Sequence, residues 1–356
     1  MGRQLILITV HNLSKDKEGR KDMKKVTGKR LLTAALLLGF TIVLAGCSGK
    51  KEERPASASG PAETVKIRVG CQSEFQGYVA YEKGFFDEVF KDDNVEVELS
   101  FFTLGPPMIE ALTSGDLDFG FMGDQPAFSG LANGLNIKII GSYKTSDTAY
   151  GLVAAADSGI TKLEDLKGKK VAVPFGSNIQ LLEELYLQKA GLTNDDIELI
   201  NLSFANIVTS LDSGEIDAAV SAEPYITQSL NKGNSVQIAD AQGIKLFVNP
   251  IVVRSEFAET YPDITAKYLK ALQMATDWIA DNQEEAIKIV AERTEATEES
   301  LKAVITKTDF SIALPEDKIA AIVTAAEQSY DAGLITKDIG IKDHIDTTYL
   351  KEAGIQ

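Results

Sequence analysis

Leu112-Thr-Ser-Gly-Asp-Leu-Asp118 returns about a hundred residues later as Leu211-Asp-Ser-Gly-Glu-Ile-Asp217. Each copy closes a helical pattern on a glycine, Gly115 or Gly214, the residue a helix C-terminus favours because it tolerates the left-handed conformation. A short apolar strand follows each, Phe119 to Met122 and Ala218 to Val220. The same offset sets Asp124 opposite Glu223, one acid just past each strand. Working backwards, the alternating Val65-Lys-Ile-Arg-Val69 leads into Ser73-x-x-Gln76, and Lys170-Val-Ala-Val173 leads into Ser177-x-x-Gln180. Both read as capping boxes that open a helix. Those helices end near Gly84 and Gly191, and the strands Val95 to Phe102 and Ile197 to Leu202 come next. Each half is therefore strand, helix, strand, helix, strand, the pattern of a parallel α/β sheet.

Two such halves imply two lobes with a crevice between them. Ligands of open α/β sheets sit beyond the carboxyl ends of the strands. Gln72, Ser73, Asp124, Ser177, Asn178 and Glu223 all fall at that edge. Tyr150-Gly-Leu-Val-Ala-Ala155 and Asn249-Pro-Ile-Val-Val-Arg254 read as the strands that carry the chain across. Lobe two, residues 148–241, is then inserted into lobe one, residues 64–147 and 242–356. From Tyr261 the pattern turns helical, as in Ile264 to Ile279, and these helices are expected to pack on lobe one.

Composition removes several chemistries. His11 and His344 are the two histidines, and Cys47 and Cys71 the two cysteines. A histidine-bearing triad, a His-rich zinc site and a Cys₂His₂ cluster all lack their parts. No nucleotide-binding glycine motif is present. No catalytic residue, metal or cofactor is expected. Residues 1–46 carry nine Lys/Arg against three Asp/Glu, so their removal takes the whole-chain charge of −16 to about −22. A body that acidic repels nucleic acid and anionic headgroups. An anionic small ligand is still allowed, because charges are screened over about 8 Å at physiological salt.

Lys24, Lys25, Lys29 and Arg30 precede an apolar run from Leu31 to Leu44, which is an export signal by its order of basic, apolar and small residues. The run is shorter than the ~20 apolar residues a membrane span needs. Leu44-Ala-Gly-Cys47 resembles the lipobox of bacterial lipoproteins, which implies cleavage before Cys47 and its lipidation. Residues 1–46 are thus an N-terminal extension plus signal peptide, with Met23 the more natural start. Residues 47–63, rich in Ser, Ala, Pro, Gly and charge, read as a lipidated, disordered tether at the outer face of the cell membrane.

Gly120-Phe-Met-Gly-Asp-Gln-Pro126, Leu163-Glu-Asp-Leu-Lys-Gly-Lys-Lys-Val-Ala-Val-Pro-Phe-Gly-Ser177, and Ser213-Gly-Glu-Ile-Asp217 with Glu223-Pro-Tyr225 resemble the nitrate/sulfonate/taurine group of ABC-transporter substrate-binding proteins. The resemblance runs over nearly all of Thr64 to Gln356. It implies the two-lobed, two-crossover periplasmic-binding-protein fold (class II type), each lobe a parallel-rich sheet flanked by helices. It implies a monomer that closes on a small oxyanion such as an alkanesulfonate or taurine and delivers it to a permease. The family commonly has tryptophans before Glu-Pro-Tyr, where this chain has Ala219 and Ala222. Their loss would reshape the cleft wall and admit a larger or aromatic ligand, such as a thiamine-precursor pyrimidine.

The expected ligand contacts are Gln72, Ser73, Asp124, Gly176, Ser177, Asn178 and Glu223. Ser177 opens a helix whose first N–H groups are unpaired and carry its positive end, and Gly176 allows close approach to that backbone. Ser177 could equally serve only as a cap. Asp124, before Gln125-Pro126, reads as an N-cap or as a contact for an amino or hydroxyl group. Glu223 is a lobe–lobe, permease-facing or ligand residue, and Gln72 ends a strand with no capping duty. Cys71 faces the same edge, and some enzymes resembling this fold use a cysteine nucleophile. It has no histidine to activate it, and Glu74 would raise its pKa, so a small wall residue is the better reading.

Overall fold

The structure is a computed structural model that describes residues 64–294 and 296–356 of the chain. The signal, Cys47 and the tether to residue 63 lie outside the described residues. The strands are β1 (Val65–Cys71), β2 (Val95–Phe101), β3 (Phe119–Phe121), β4 (Ile137–Ser146), β5 (Tyr150–Ala155), β6 (Lys170–Val173), β7 (Glu198–Asn201), β8 (Ala218–Ala222), β9 (Ser235–Asp240) and β10 (Phe247–Arg254). They form two five-stranded sheets, ordered β2-β1-β3-β10-β4 and β7-β6-β8-β5-β9. The second order is the first with each strand replaced by its repeat partner.

The parallel-rich sheets expected are found, each with one antiparallel strand that the repeat alone does not show. In each sheet the first three strands are parallel, and the fourth, β10 or β5, runs against both its neighbours. The reason is the crossing itself. β5 follows β4 of the other sheet and β10 follows β9, so each enters its sheet from the edge where the other strands end. A strand arriving there has to run away from it.

The repeated acid closes each half in the same way. Asp118 N–H donates to the Arg68 carbonyl (2.8 Å), and Asp118 Oδ2 accepts the Arg68 N–H (3.0 Å). Asp217 N–H donates to the Lys170 carbonyl (3.0 Å), and its Oδ2 accepts the Lys170 N–H (2.8 Å). Gly115 and Gly214, at φ 79° and 73°, cap the preceding helices and turn the chain into this clamp. Asp118 also holds the Arg68 guanidinium, with bonds of 2.9 and 2.8 Å. Asp217→Ala, which removes only a backbone contact, should lower unfolding stability by about 1–2 kcal/mol. Urea titration reads this directly, and an unchanged midpoint would make the repeated acid dispensable.

The helix Pro262–Asp281 lays Tyr268, Leu269, Leu272 and Ala275 onto the core of the first sheet, where Tyr268 packs on Phe119 and Phe86. The second sheet is covered on both faces. Leu152, Val171, Val220 and Ala222 belong to one core cluster, and Val153, Ala172 and Ala219 to the opposite one. Strand alternation thus separates the two alanines expected to open the cleft wall. Ala222 reaches the cleft, whereas Ala219 is buried against Ile207 and Leu211. Among the described residues no helix is long and apolar enough to cross a membrane.

Candidate functional site

The carboxyl ends of β1, β6 and β8 open onto one cleft between the lobes, about 760 Å³ of space continuous with solvent. Gln72, Ser73, Ser177, Asn178 and Glu223 lie along it, while Asp124 and Gly176 do not line it. The lobes meet beside it. A Cβ on Gly123 would fall 2.7 Å from Asn178 Cγ, and one on Gly176 would fall 3.1 Å from Pro106 Cγ.

The two expected capping boxes are not formed. The strand ladders pair Val69 with Phe119 and Val171 with Ala218, which puts Phe75 opposite Ser177 and Gln76 opposite Asn178. The two S-x-x-Q matches are therefore two residues out of register. The helix Gln76–Glu82 starts after Phe75 with no side-chain cap, so Ser73 has no capping role. The Gln76 amide instead donates to the carbonyls of Tyr143 (2.7 Å) and Phe310 (3.0 Å). Ser177 does sit at the N-cap of the helix Asn178–Ala190, but its hydroxyl donates to the Pro174 carbonyl at 2.6 Å and accepts no backbone N–H. Gln180 Oε1 accepts from Gly176 N–H (2.8 Å) rather than from Ser177. Gly176 is needed for its φ of 72° and for the contact with Pro106. Its N–H is already spoken for.

Asp124 is the first residue of the helix Asp124–Ala132, and Gly123, not Asp124, is its N-cap. The carboxylate is buried 2.5 Å from Lys245 Nζ, with both side chains 2% exposed. Lys245 lies in the segment joining β9 to β10, so this pair fixes the crossover to the first lobe's helix. Glu223 pairs with Lys307 Nζ at 2.7 Å and accepts Thr227 N–H at 3.0 Å. Asn178 Nδ2 donates to Asn249 Oδ1 (3.0 Å), and Asn249 Nδ2 donates to the Tyr150 hydroxyl (2.7 Å). This polar chain joins the helix end to both crossing strands.

Beneath Gln72, Glu74 Oε2 accepts the Gln72 N–H at 2.6 Å, while Oε1 is buried without a partner. Burial pushes this carboxyl up to about 7. Cys71 is fully buried, and desolvation together with Glu74 pushes its thiol well above the ordinary range. The thiol is held neutral and packs in the first lobe's core, outside the cleft lining.

Lys144 was not singled out by the sequence. It is partly buried near the end of β4 and is the one Lys or Arg among the residues lining the cleft. Its Nζ stands 5.1 Å over the Tyr150 ring, and among the described residues no carboxylate lies within ion-pair distance. Desolvation lowers it to about 8, against the opposing pull of the Glu223 charge. The available signal was a lysine set between Tyr143 and Thr145, both of which are buried.

Residues 74–286 match the family model described as NMT1/THI5 like. A Bacillus subtilis (strain 168) protein assigned as aliphatic sulfonates-binding is 29% identical over 322 residues, which span 89% of this chain and 95% of that protein. The taurine-binding periplasmic protein of Escherichia coli (strain K12) is 28% identical over 215 residues, 59% of this chain and 65% of that one. Among solved structures, the alkanesulfonate-binding protein of Xanthomonas axonopodis pv. citri bound to MOPS matches with a TM-score of 0.71 at 22% identity, covering 80% of this chain and 99% of that chain. The fold is the two-lobed one of periplasmic binding proteins.

Proposed function

The chain belongs to the NMT1/THI5-like family, and on that premise we propose that it is the extracytoplasmic receptor of an ABC importer, capturing a small organic sulfonate in the interlobe cleft and handing it to a permease. The observation that carries this reading is Lys144, a cation without a carboxylate partner in a cleft shared with the amino end of the helix Asn178–Ala190. A sulfonate supplies the missing charge. One helix end contributes about 0.3–1 kcal/mol to an anion, up to about 2 when partly buried. Micromolar affinity needs about 8 kcal/mol, so cation, helix end and enclosure have to act together. A neutral thiamine-precursor pyrimidine would leave Lys144 unmatched.

The lobes of residues 64–147 with 242–356 and of residues 148–241 close about the two crossovers. Gln72, Ser73, Ser177 and Asn178 lie where they contact the ligand, and Glu223 with Lys307 latches lobe to lobe. Asp124 and Gly176 act at one remove, by fixing the crossover and the helix entry. The protein works as a monomer, tethered to the outer face of the membrane through lipid on Cys47.

Calorimetric titration of the mature protein with ethanesulfonate, sulfate, nitrate and bicarbonate tests the ligand class. Ethanesulfonate should bind in the micromolar range and the inorganic anions more weakly. Absence of binding by any sulfonate would sink the reading.

A further inference from the structure

Aromatic side chains from both lobes line the cleft: Phe101, Phe102, Tyr143, Tyr150, Phe204 and Tyr225. Phe204 and Tyr225 open two helices of the second lobe, and their rings lie parallel, 9° apart in plane and 4.9 Å between centroids. Phe101 and Phe102 come from the end of β2 in the first lobe. Tyr150 is backed by Phe247 at 3.7 Å and sits under Lys144. The cleft lining therefore holds one cation together with aromatic side chains from both lobes.

No acid of the cleft presents a free oxygen to it. Both oxygens of Glu223 are engaged, by Lys307 and by Thr227 N–H. Glu74 has one oxygen on Gln72 N–H, and the other is sealed from solvent. Asp124, behind the lining, is held by Lys245. An ammonium group brought into this space would be desolvated without a carboxylate, and burying an unpaired charge is unfavourable.

We propose that the cleft selects a sulfonate monoanion with an aromatic body and discriminates against aminosulfonates. The sulfonate meets Lys144, and the ring packs between the aromatic walls of the two lobes. This inference rests on the sulfonate reading given above. Face-to-face and edge contacts between aromatic rings add attraction beyond buried area, so an arene should outperform a saturated ring of the same size.

Four probes separate the contributions. Benzenesulfonate against cyclohexanesulfonate isolates aromaticity, and ethanesulfonate against taurine isolates the ammonium group. Calorimetry should show benzenesulfonate binding about tenfold tighter than ethanesulfonate and about threefold tighter than cyclohexanesulfonate, with taurine about tenfold weaker than ethanesulfonate. In Phe204→Leu the ratio of benzenesulfonate to cyclohexanesulfonate affinity should fall to about one. A melting curve and the retained binding of cyclohexanesulfonate will show that this variant is folded. Taurine binding as tightly as ethanesulfonate, or equal affinities for the two six-membered rings in the unsubstituted protein, would overturn the aromatic assignment and leave the sulfonate reading standing. Failure of all four to bind would overturn both.

Discussion

Lys144→Met should weaken ethanesulfonate binding about thirtyfold, the equivalent of about 2 kcal/mol for one charge-assisted contact, without lowering the melting temperature. The second half of the expectation follows from the first observation. Lys144 is desolvated and unpaired, so replacing it by an apolar side chain of similar length removes a folding penalty rather than a support. Titration gives the sharper test. Burial brings the free-protein ammonium to about 8, while a sulfonate stays ionised throughout the accessible range. Binding requires the protonated lysine, so affinity should be flat below about pH 8 and fall as pH rises above it, by about tenfold near pH 9. Lys144→Arg, which cannot deprotonate there, should keep most of the affinity and lose the pH dependence. A wild-type dissociation constant that does not change between pH 7 and 9.5 would remove Lys144 from the ligand contacts.

The way the site was and was not legible follows the distance over which each signal acts. The repeated acid and glycine were readable because their work is local: Gly115 and Gly214 end helices, and Asp118 and Asp217 bind the first strand of their own half. The cleft edge followed from strand order, so most of the predicted positions border it. The capping role of Ser73 fails because the S-x-x-Q identity is two residues out of the register that the equal loops between β1 and its helix and between β6 and its helix set. Ala219 and Ala222 are three apart, and in a strand that places them on opposite faces. The sequence already contained that signal. The lysines are a different case. Lys245 and Lys307 meet Asp124 and Glu223 across 121 and 84 residues of chain, and no spacing rule connects them. What Asp124 and Glu223 do depends on those partners, which is why Asp124 stood open between cap and ligand contact, and Glu223 among lobe–lobe, permease-facing and ligand roles.

Glu183→Met should stabilise the protein by about 2–4 kcal/mol at pH 8. Glu183 lies on the helix Asn178–Ala190 among Ile179, Leu182, Tyr186 and Leu187, is 1% exposed, and has neither carboxylate oxygen hydrogen-bonded. Burial, with the neighbouring Glu184 charge, raises it to about 8 from an ordinary 4.5. The folded state therefore holds a proton that the unfolded chain releases between these values. A group of this kind adds no ionisation penalty below about pH 4.5, and that penalty grows until the folded value is passed near pH 8. Stability should accordingly fall as pH rises from 5 to 8. Glu74, raised to about 7, acts in the same direction, so Glu183→Met should reduce the slope without abolishing it. Lys144 titrates between about 8 and its ordinary value near 10.5 and leaves this window undisturbed. Methionine fills a similar volume and leaves no polar atom to satisfy, whereas glutamine would bury an unpaired amide and recover less. Urea unfolding of both proteins at pH 5 and pH 8 measures the difference. Parallel losses in the two proteins would mean that Glu183 finds a partner or water in solution, and that the helix carries no buried carboxyl penalty.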